Sequence, residues 1–378
     1  MTAGLFYRNM LMRNMKIGFM ASLMLFVFFS IPIGMRAEES SHQKDAWPLT
    51  IKEDLNVALI GTYGEYRYPG HYHLALDIHS HKGENVYNNT DGILLECIKI
   101  HDRAGYRIII GDPVTLEGRE FTHVDPTRKF LQAKPGTSLI KKGEMIGNIA
   151  DYGNEGEDWN DHLHYAYVRI KQMVNTQGDA FNVIEGLEHP LNRLEITPQI
   201  REILRDAPPQ FVEPIMFIPD GGKKGEFKNG PVFGKVDILV HAFDRMGRSW
   251  GLGKYSPAPY EFEWRIVKPE GFSDAGGILT LDGKIPLIRP NPCSNYIENE
   301  RWVGDFQFLI TNTMTENGYW FTNESKSDPG YASRSNADAK YPDGKYTIEV
   351  TIREHPALGT PQRFVTRTAD VELDNFRD

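Results

Sequence analysis

The chain has 378 residues, enough for about two domains of ordinary size. Hydrophobic residues at 40% and charged residues at 25% make a globular balance, and a formal charge of −9 with no basic stripe argues against nucleic acid as a partner. Glycine (35), proline (23) and tyrosine (17), spread among short Val/Ile/Tyr/Phe runs, point to β structure with frequent turns.

Residues 17–35, "IGFMASLMLFVFFSIPIGM", carry no charge and follow Arg8, Arg13 and Lys16. A positive start and an apolar run read as an export signal. The run is long enough to span a bilayer, so residues 1–37 read either as a cleaved signal peptide or as a membrane anchor. Met35 sits badly at the −3 position of a cut after Ala37, whereas a start at Met15 gives a signal of ordinary proportions. Either way the expected location is the periplasm or cell envelope.

A polar leader, "EESSHQKDAWP", precedes a strand-rich segment. Strands are expected at "GILLECIKI" (92–100), "YRIIIGD" (106–112), "EFTHV" (120–124) and "HLHYAYVRI" (162–170), separated by glycine- and aspartate-bearing turns. "KKGEMIGNIADYG" (141–153) reads as turn, short strand, turn, and "PLNRLEITPQIREILRDAP" (190–208) as a strand followed by a short helix. Glycine- and lysine-rich "PDGGKKGEFKNGP" (219–231) marks a boundary. Beyond it, "GKVDILVHAFD", "PYEFEWRIV", "DGKYTIEVTIRE" and "RFVTRTADVELDN" alternate apolar and polar side chains, as a β-sandwich requires, and 312–340 reads as a long polar loop. The expected division is 1–37 signal or anchor, 45–190 first domain, 191–230 linker and 231–378 sandwich. Cys97 and Cys293 then fall in different domains, and Cys97, inside a strand-like run, reads as an inert buried thiol.

Twelve histidines are present, and four of them crowd "HYHLALDIHSH" (71–81). Alternation places His162 and His164 on one strand face, about 6.5–7 Å apart, so two imidazoles can converge. Spacing alone does not say which of the two would bind a metal. His73 and Asp77 are both suitable zinc ligands, yet four residues of straight strand would separate them by about 13 Å. A helix would bring them to about 6 Å, but flanking turn residues leave too little length for one, so a bend between them is expected. His123 in "EFTHVDP" adds a fifth candidate. Without cysteine clusters, a histidine/carboxylate site with an open position points to hydrolysis by metal-activated water.

In order along the chain, "HLALD" (73–77), "TDGILLECI", "AGYRIIIGD", "FTHV" (121–124), "IKKGEMIGNIADYG" and "HLHYAYV" (162–168) resemble the LytM/lysostaphin-type zinc metallopeptidases, which cut peptide cross-bridges of bacterial cell walls. The resemblance covers about residues 55–170. It implies an N-terminal antiparallel β-sheet metallopeptidase domain of the LytM/lysostaphin type; with the C-terminal β-sandwich, whose strand pattern resembles the immunoglobulin-like modules of exported bacterial proteins, the chain is expected to be all-β. It also implies one Zn²⁺ per chain held by His73, Asp77 and His164. His123 and His162 would be the catalytic non-ligand histidines, and peptidoglycan peptides the substrate.

Two positions depart from the family pattern. Ala75 stands where the family has glycine in H-x-G-x-D, and "EGEDWNDHLH" replaces a Gly-Pro-type approach. Alanine disfavours positive φ, so the ligand loop could be shaped differently. Asp158, Asn160 and Asp161 read as a solvated acidic rim, with a hydrogen bond to a site histidine as the alternative. His71, His79 and His81 read as polar loop residues, while His101, His189, His241 and His355 receive no role. A catalytically silent LytM-like regulator or scaffold of other wall hydrolases is the alternative function, although such members typically lose ligands. An adhesion protein of two β-domains would leave the ordered histidines unexplained. The partner of the C-terminal domain is left open.

Overall fold

The computed structural model describes residues 44–51, 58–68, 71–101, 104–152, 161–174, 182, 184–205, 207–219, 231–247, 257–269, 276–281, 307–311 and 319–376. The signal or anchor segment, Asp158, Asn160, Cys293 and most of the glycine/lysine-rich boundary lie outside them. Among the described residues, no helix is long and apolar enough to cross a membrane.

The first half contributes β1 (Leu59–Gly61), β2 (Glu65–Tyr68), β3 (His71–His73), β4 (Leu76–His79), β5 (Asn85–Tyr87), β6 (Gly92–His101), β7 (Gly105–Gly111), β8 (Glu117–Pro126), β9 (Leu139–Ile140), β10 (Met145–Ile149), β11 (His162–Ile170) and β12 (Ile184–Gly186), with a short helix α1 (Arg128–Gln132) after β8. Ten of these strands form one sheet whose main order is β1-β4-β11-β8-β7-β6-β9, while β2 and β3 form a separate ribbon. β11 lies centrally between β4 and β8. Its sequence explains why it can. Leu163 and Tyr165 enter the main core with Phe121, Ile108 and Leu76, and the alternate positions Ala166, Val168 and Ile170 pack with Ala75, Leu95 and Ile109 on the other face. Both faces of that strand are therefore covered over much of its length, and its first residues, His162 and His164, bring two imidazoles to the sheet.

The second half contributes β13 (Gln210–Phe211), β14 (Met216–Pro219), β15 (Lys235–Phe243), β16 (Glu261–Lys268), β17 (Gly276–Thr280), β18 (Gln307–Leu309), β19 (Trp320–Phe321), β20 (Gly344–Arg353) and β21 (Phe364–Leu373), preceded by α2 (Pro198–Leu204). Strands β13, β14, β18 and β19 pair with β15, and β17-β16-β20-β21 make a second sheet. Val236, Ile238 and Val240 of β15 share a core with Phe262, Trp264, Ile348 and Val350 of the other sheet. All pairs of named strands are antiparallel. The described chain is all-β.

Two expectations change. The strand expected near residue 190 is a single 3₁₀ turn, Pro190–Asn192, because Pro190 has no N–H for a ladder and the His189 side chain captures the Leu191 N–H. The polar 312–340 segment is not a plain loop where it is described. Glu324 and Ser325 bridge to Ala332 and Ala339, and the Asp338 carboxylate accepts from Ser325 Oγ at 2.6 Å and Ser327 N at 3.2 Å.

Candidate metal centre

Antiparallel pairing sets His164 of β11 directly opposite Asp77 of β4 on one side and Thr122 of β8 on the other. Residues paired in this way project from the same sheet face with Cβ atoms about 5 Å apart, so the His164–Asp77 meeting follows from register alone. His73 arrives differently. β3 ends at His73, β4 starts at Leu76, and the chain bends at Ala75, which is fully buried. Positive φ among described non-glycine residues is confined to Leu116 and His123, so alanine fits the Ala75 bend without strain.

The three side chains converge. His73 Nε2 lies 2.9 Å from Asp77 Oδ1 and 3.2 Å from His164 Nδ1, and His164 Nδ1 lies 3.0 Å from the same carboxylate oxygen. His73 and Asp77 are each 3% exposed, so water offers them little relief. His73 Nδ1 donates to the Thr62 carbonyl at 2.9 Å, since a carbonyl can only accept. When the ring is neutral it therefore turns a lone pair, not a proton, towards an acceptor oxygen. Acceptors this close need a shared cation or an added proton between them. A tetrahedral zinc with arms of about 2.0–2.1 Å has ligand–ligand edges of about 3.3 Å, close to the spacing seen, so the donor set fits that ion.

Two more histidines flank the trio. His162 Nε2 is 3.6 Å from Asp77 Oδ1. The His123 ring stands 4.6 Å from that of His162 and 6.1 Å from that of His164. Simple alternation would have turned His123 away. Tyr106 pairs with Val124 but Arg107 with Thr122, so His123 is the extra residue of a β-bulge, at φ 66°. Phe121 and Val124 consequently both enter the main core, while His123 swings to the site face. Its Nδ1 donates to the Ala104 carbonyl at 3.1 Å. Burial first, then the neighbouring His162 and His164, hold it well below the ordinary histidine range, so it is neutral and offers Nε2 as a base.

Sequence reasoning missed Tyr152, whose ring lies over His123, and Glu120, whose Oε1 is 3.9 Å from His164 Nε2. Neither carries a motif, because each is placed by a partner strand or loop. Asp161 is not a solvated rim residue. At 2% exposed, it accepts from the backbone N–H groups of Tyr152 at 3.0 Å and Lys82 at 3.1 Å, tying two loops beside the site. Of the crowded histidines, His71 lies in β3 and half-buried His79 in β4 opposite His162, whereas His81 is exposed after the strand. Cys97 is a buried free thiol pushed up to about 12 by burial.

No protein-family model matches the chain, and no curated protein matches it. Among solved structures it is similar to a zinc-containing peptidase from Vibrio cholerae, with 20% identity over 33% of this chain and 36% of that one and a TM-score of 0.26. It is also similar to Helicobacter pylori Csd3, with 18% identity over 38% and 36% and a TM-score of 0.25. Lysostaphin in solution gives 15% identity over 52% of this chain and 89% of that one, again with a TM-score of 0.25. The match spans little more than a third of the length of the first two proteins.

Proposed function

We propose that this chain is an exported zinc-dependent endopeptidase of the LytM/lysostaphin type that hydrolyses peptide cross-bridges of bacterial peptidoglycan. One observation carries the reading: three buried or half-buried donors, His73, Asp77 and His164, stand 2.9–3.2 Å apart with two further histidines beside them. Zinc bound there would polarise the scissile carbonyl and lower the pKa of water towards neutrality. His73 and His164 present Nε2 and Nδ1, and Asp77 presents one oxygen. His123, held neutral, takes a proton at Nε2, and His162 at the same wall hands one to the leaving amine or donates to the developing oxyanion. The proposal includes a peptidase domain over 45–190, a linker over 191–230 and an immunoglobulin-like β-sandwich over 231–378. The uncharged run at 17–35 supports export.

The test is mass spectrometry of cross-linked muropeptides after incubation with purified, zinc-loaded protein, with and without chelator. New amine termini that disappear with chelator and in His164→Ala are the expected result. Intact substrates across a range of pH, from protein shown to hold zinc, would replace this reading with that of a silent regulator.

A further inference from the structure

The tripeptide Glu-His-Pro occurs at 188–190, just after β12, and again at 354–356, just after β20. Each opens a 3₁₀ turn, Pro190–Asn192 and Pro356–Leu358. In each, histidine Nδ1 accepts the backbone N–H two residues on, at 3.2 Å from Leu191 and 3.1 Å from Ala357. An amide can only donate, so both rings carry their proton on Nε2. The two rings lie against each other with centroids 4.3 Å apart, and Tyr260 meets His355 edge-on at 4.3 Å. Both are fully buried, and burial holds His189 well below its ordinary pKa and His355 at about 3, so the pair is neutral.

His189 Nε2 donates to Thr62 Oγ1 at 3.1 Å, and Thr62 is the residue whose carbonyl takes the His73 Nδ1 proton. The same short segment is held at its other end by the second half of the chain, where Leu59 N donates to the Met246 carbonyl at 2.9 Å. Met246 and Leu358 are buried in the core that contains Leu59, Leu76 and Ile78. The segment bearing Thr62 is therefore clamped at both ends by residues remote in sequence.

We propose that His189 and His355 are positioning residues through which the C-terminal half of the chain sets the orientation of His73 for zinc. The inference rests on the reading that His73, Asp77 and His164 hold that metal. His355 fixes the plane of His189, His189 fixes the Thr62 side chain and with it the Thr62 peptide, and the Thr62 carbonyl fixes the His73 ring so that Nε2 faces the other donors. Groups that orient a ligating imidazole through its second nitrogen typically change metal affinity by about 10–100-fold when altered.

The test is zinc affinity of the full chain, measured by competition with a chromophoric chelator well below each variant's melting temperature. Thr62→Val and His189→Asn are expected to weaken zinc binding by about 10–100-fold, and His355→Asn by about 10-fold. Asparagine retains an acceptor for each turn, and Thr62→Ser, which keeps the hydroxyl, is expected to bind as the wild type does. Folded variants that all bind zinc as tightly as the wild type would overturn the proposal. Thr62→Val decides the matter alone if a histidine variant fails to fold. A wild-type chain that takes up no zinc would instead remove the reading of the site, and the proposal with it.

Discussion

His123 and Tyr152 lie ring over ring, with centroids 4.0 Å apart and planes inclined at 47°. Tyr152 also meets His162 edge-on at 5.0 Å, and its backbone N–H is fixed by the buried Asp161 carboxylate. It thus walls both non-ligand histidines from one side. Removing that wall leaves His73, Asp77 and His164 in place but frees the two rings to which the proposed mechanism assigns proton transfer. Tyr152→Ala is expected to lower kcat on a cross-linked peptide by about 10–100-fold with zinc content unchanged. Tyr152→Phe, which keeps the ring, should retain most activity. Equal losses in the two variants would instead assign the effect to the hydroxyl.

Zinc should stabilise the fold. A ligand present at 100 times its Kd adds about 2.7 kcal/mol, readable as a rise in Tm when zinc is titrated in and its loss on chelation. His164→Ala should show no such shift. Asp77→Asn is the more telling variant, because it removes the carboxylate that faces the His73 lone pair at 2.9 Å. Its amide can donate where the carboxylate could only accept. Metal-free Asp77→Asn is therefore expected to melt no lower than metal-free wild type, while losing the zinc shift. A lower melting temperature without metal would show that the carboxylate stabilises the empty trio.

The strands were legible where runs rich in β-branched and aromatic residues, alternating as in β16, β20 and β21 or continuously apolar as in β6, β11 and β15, lie between turn residues. Expected runs at 92–100, 162–170 and in the second half reappear as β6, β11, β15, β16, β20 and β21 within a residue or two at each end. The bend between His73 and Asp77 was legible as well, because a straight strand cannot join them. The His123 bulge was not, since an extra residue is defined only by the partner strand that lacks one. Nor was the His189–His355 contact, made by residues 166 positions apart whose shared tripeptide has no periodic signature. Tyr152 and Asp161 were hidden for the same reason. Their roles depend on loops that only the folded sheet brings together.

Arg107 and Glu96 form an ion pair beneath the sheet face, Nε to Oε1 at 2.6 Å, with Asn182 donating to the other carboxylate oxygen. Glu96 is fully buried, and desolvation raises its pKa in spite of Arg107. Deleting the cation alone leaves a buried carboxylate with the Asn182 amide but no opposite charge. Arg107→Met is expected to cost about 3–5 kcal/mol in urea denaturation, whereas replacing both partners by apolar residues of similar volume should cost much less. A single variant no less stable than the double one would show that the pair is not what holds this face.

Asp244 is fully buried, and neither carboxylate oxygen meets a hydrogen-bond donor among the described residues. Burial is the largest cause pushing its pKa up to about 8, and the nearby Glu354 adds to it against the opposing pull of Arg363 and Arg205. Those two arginines are engaged by Glu354 itself, at 2.7 Å from Arg205 and 2.8 Å from Arg363, which is why they do not rescue Asp244. Between about pH 4 and pH 8 the folded chain keeps a proton on Asp244 that the unfolded chain releases. Stability carried by this group is thus complete below pH 4, falls as pH rises through that window, and levels off above pH 8. Asp244→Asn removes the linkage while keeping the shape. The variant should gain on the wild type progressively from pH 5 to pH 8.5, by up to about 4 kcal/mol over that range. Every other titrating group is common to the two proteins, so only the widening of the difference matters. Parallel stability curves across that range would mean that Asp244 is ionised in the fold and finds its compensation in Arg205 and Arg363 after all.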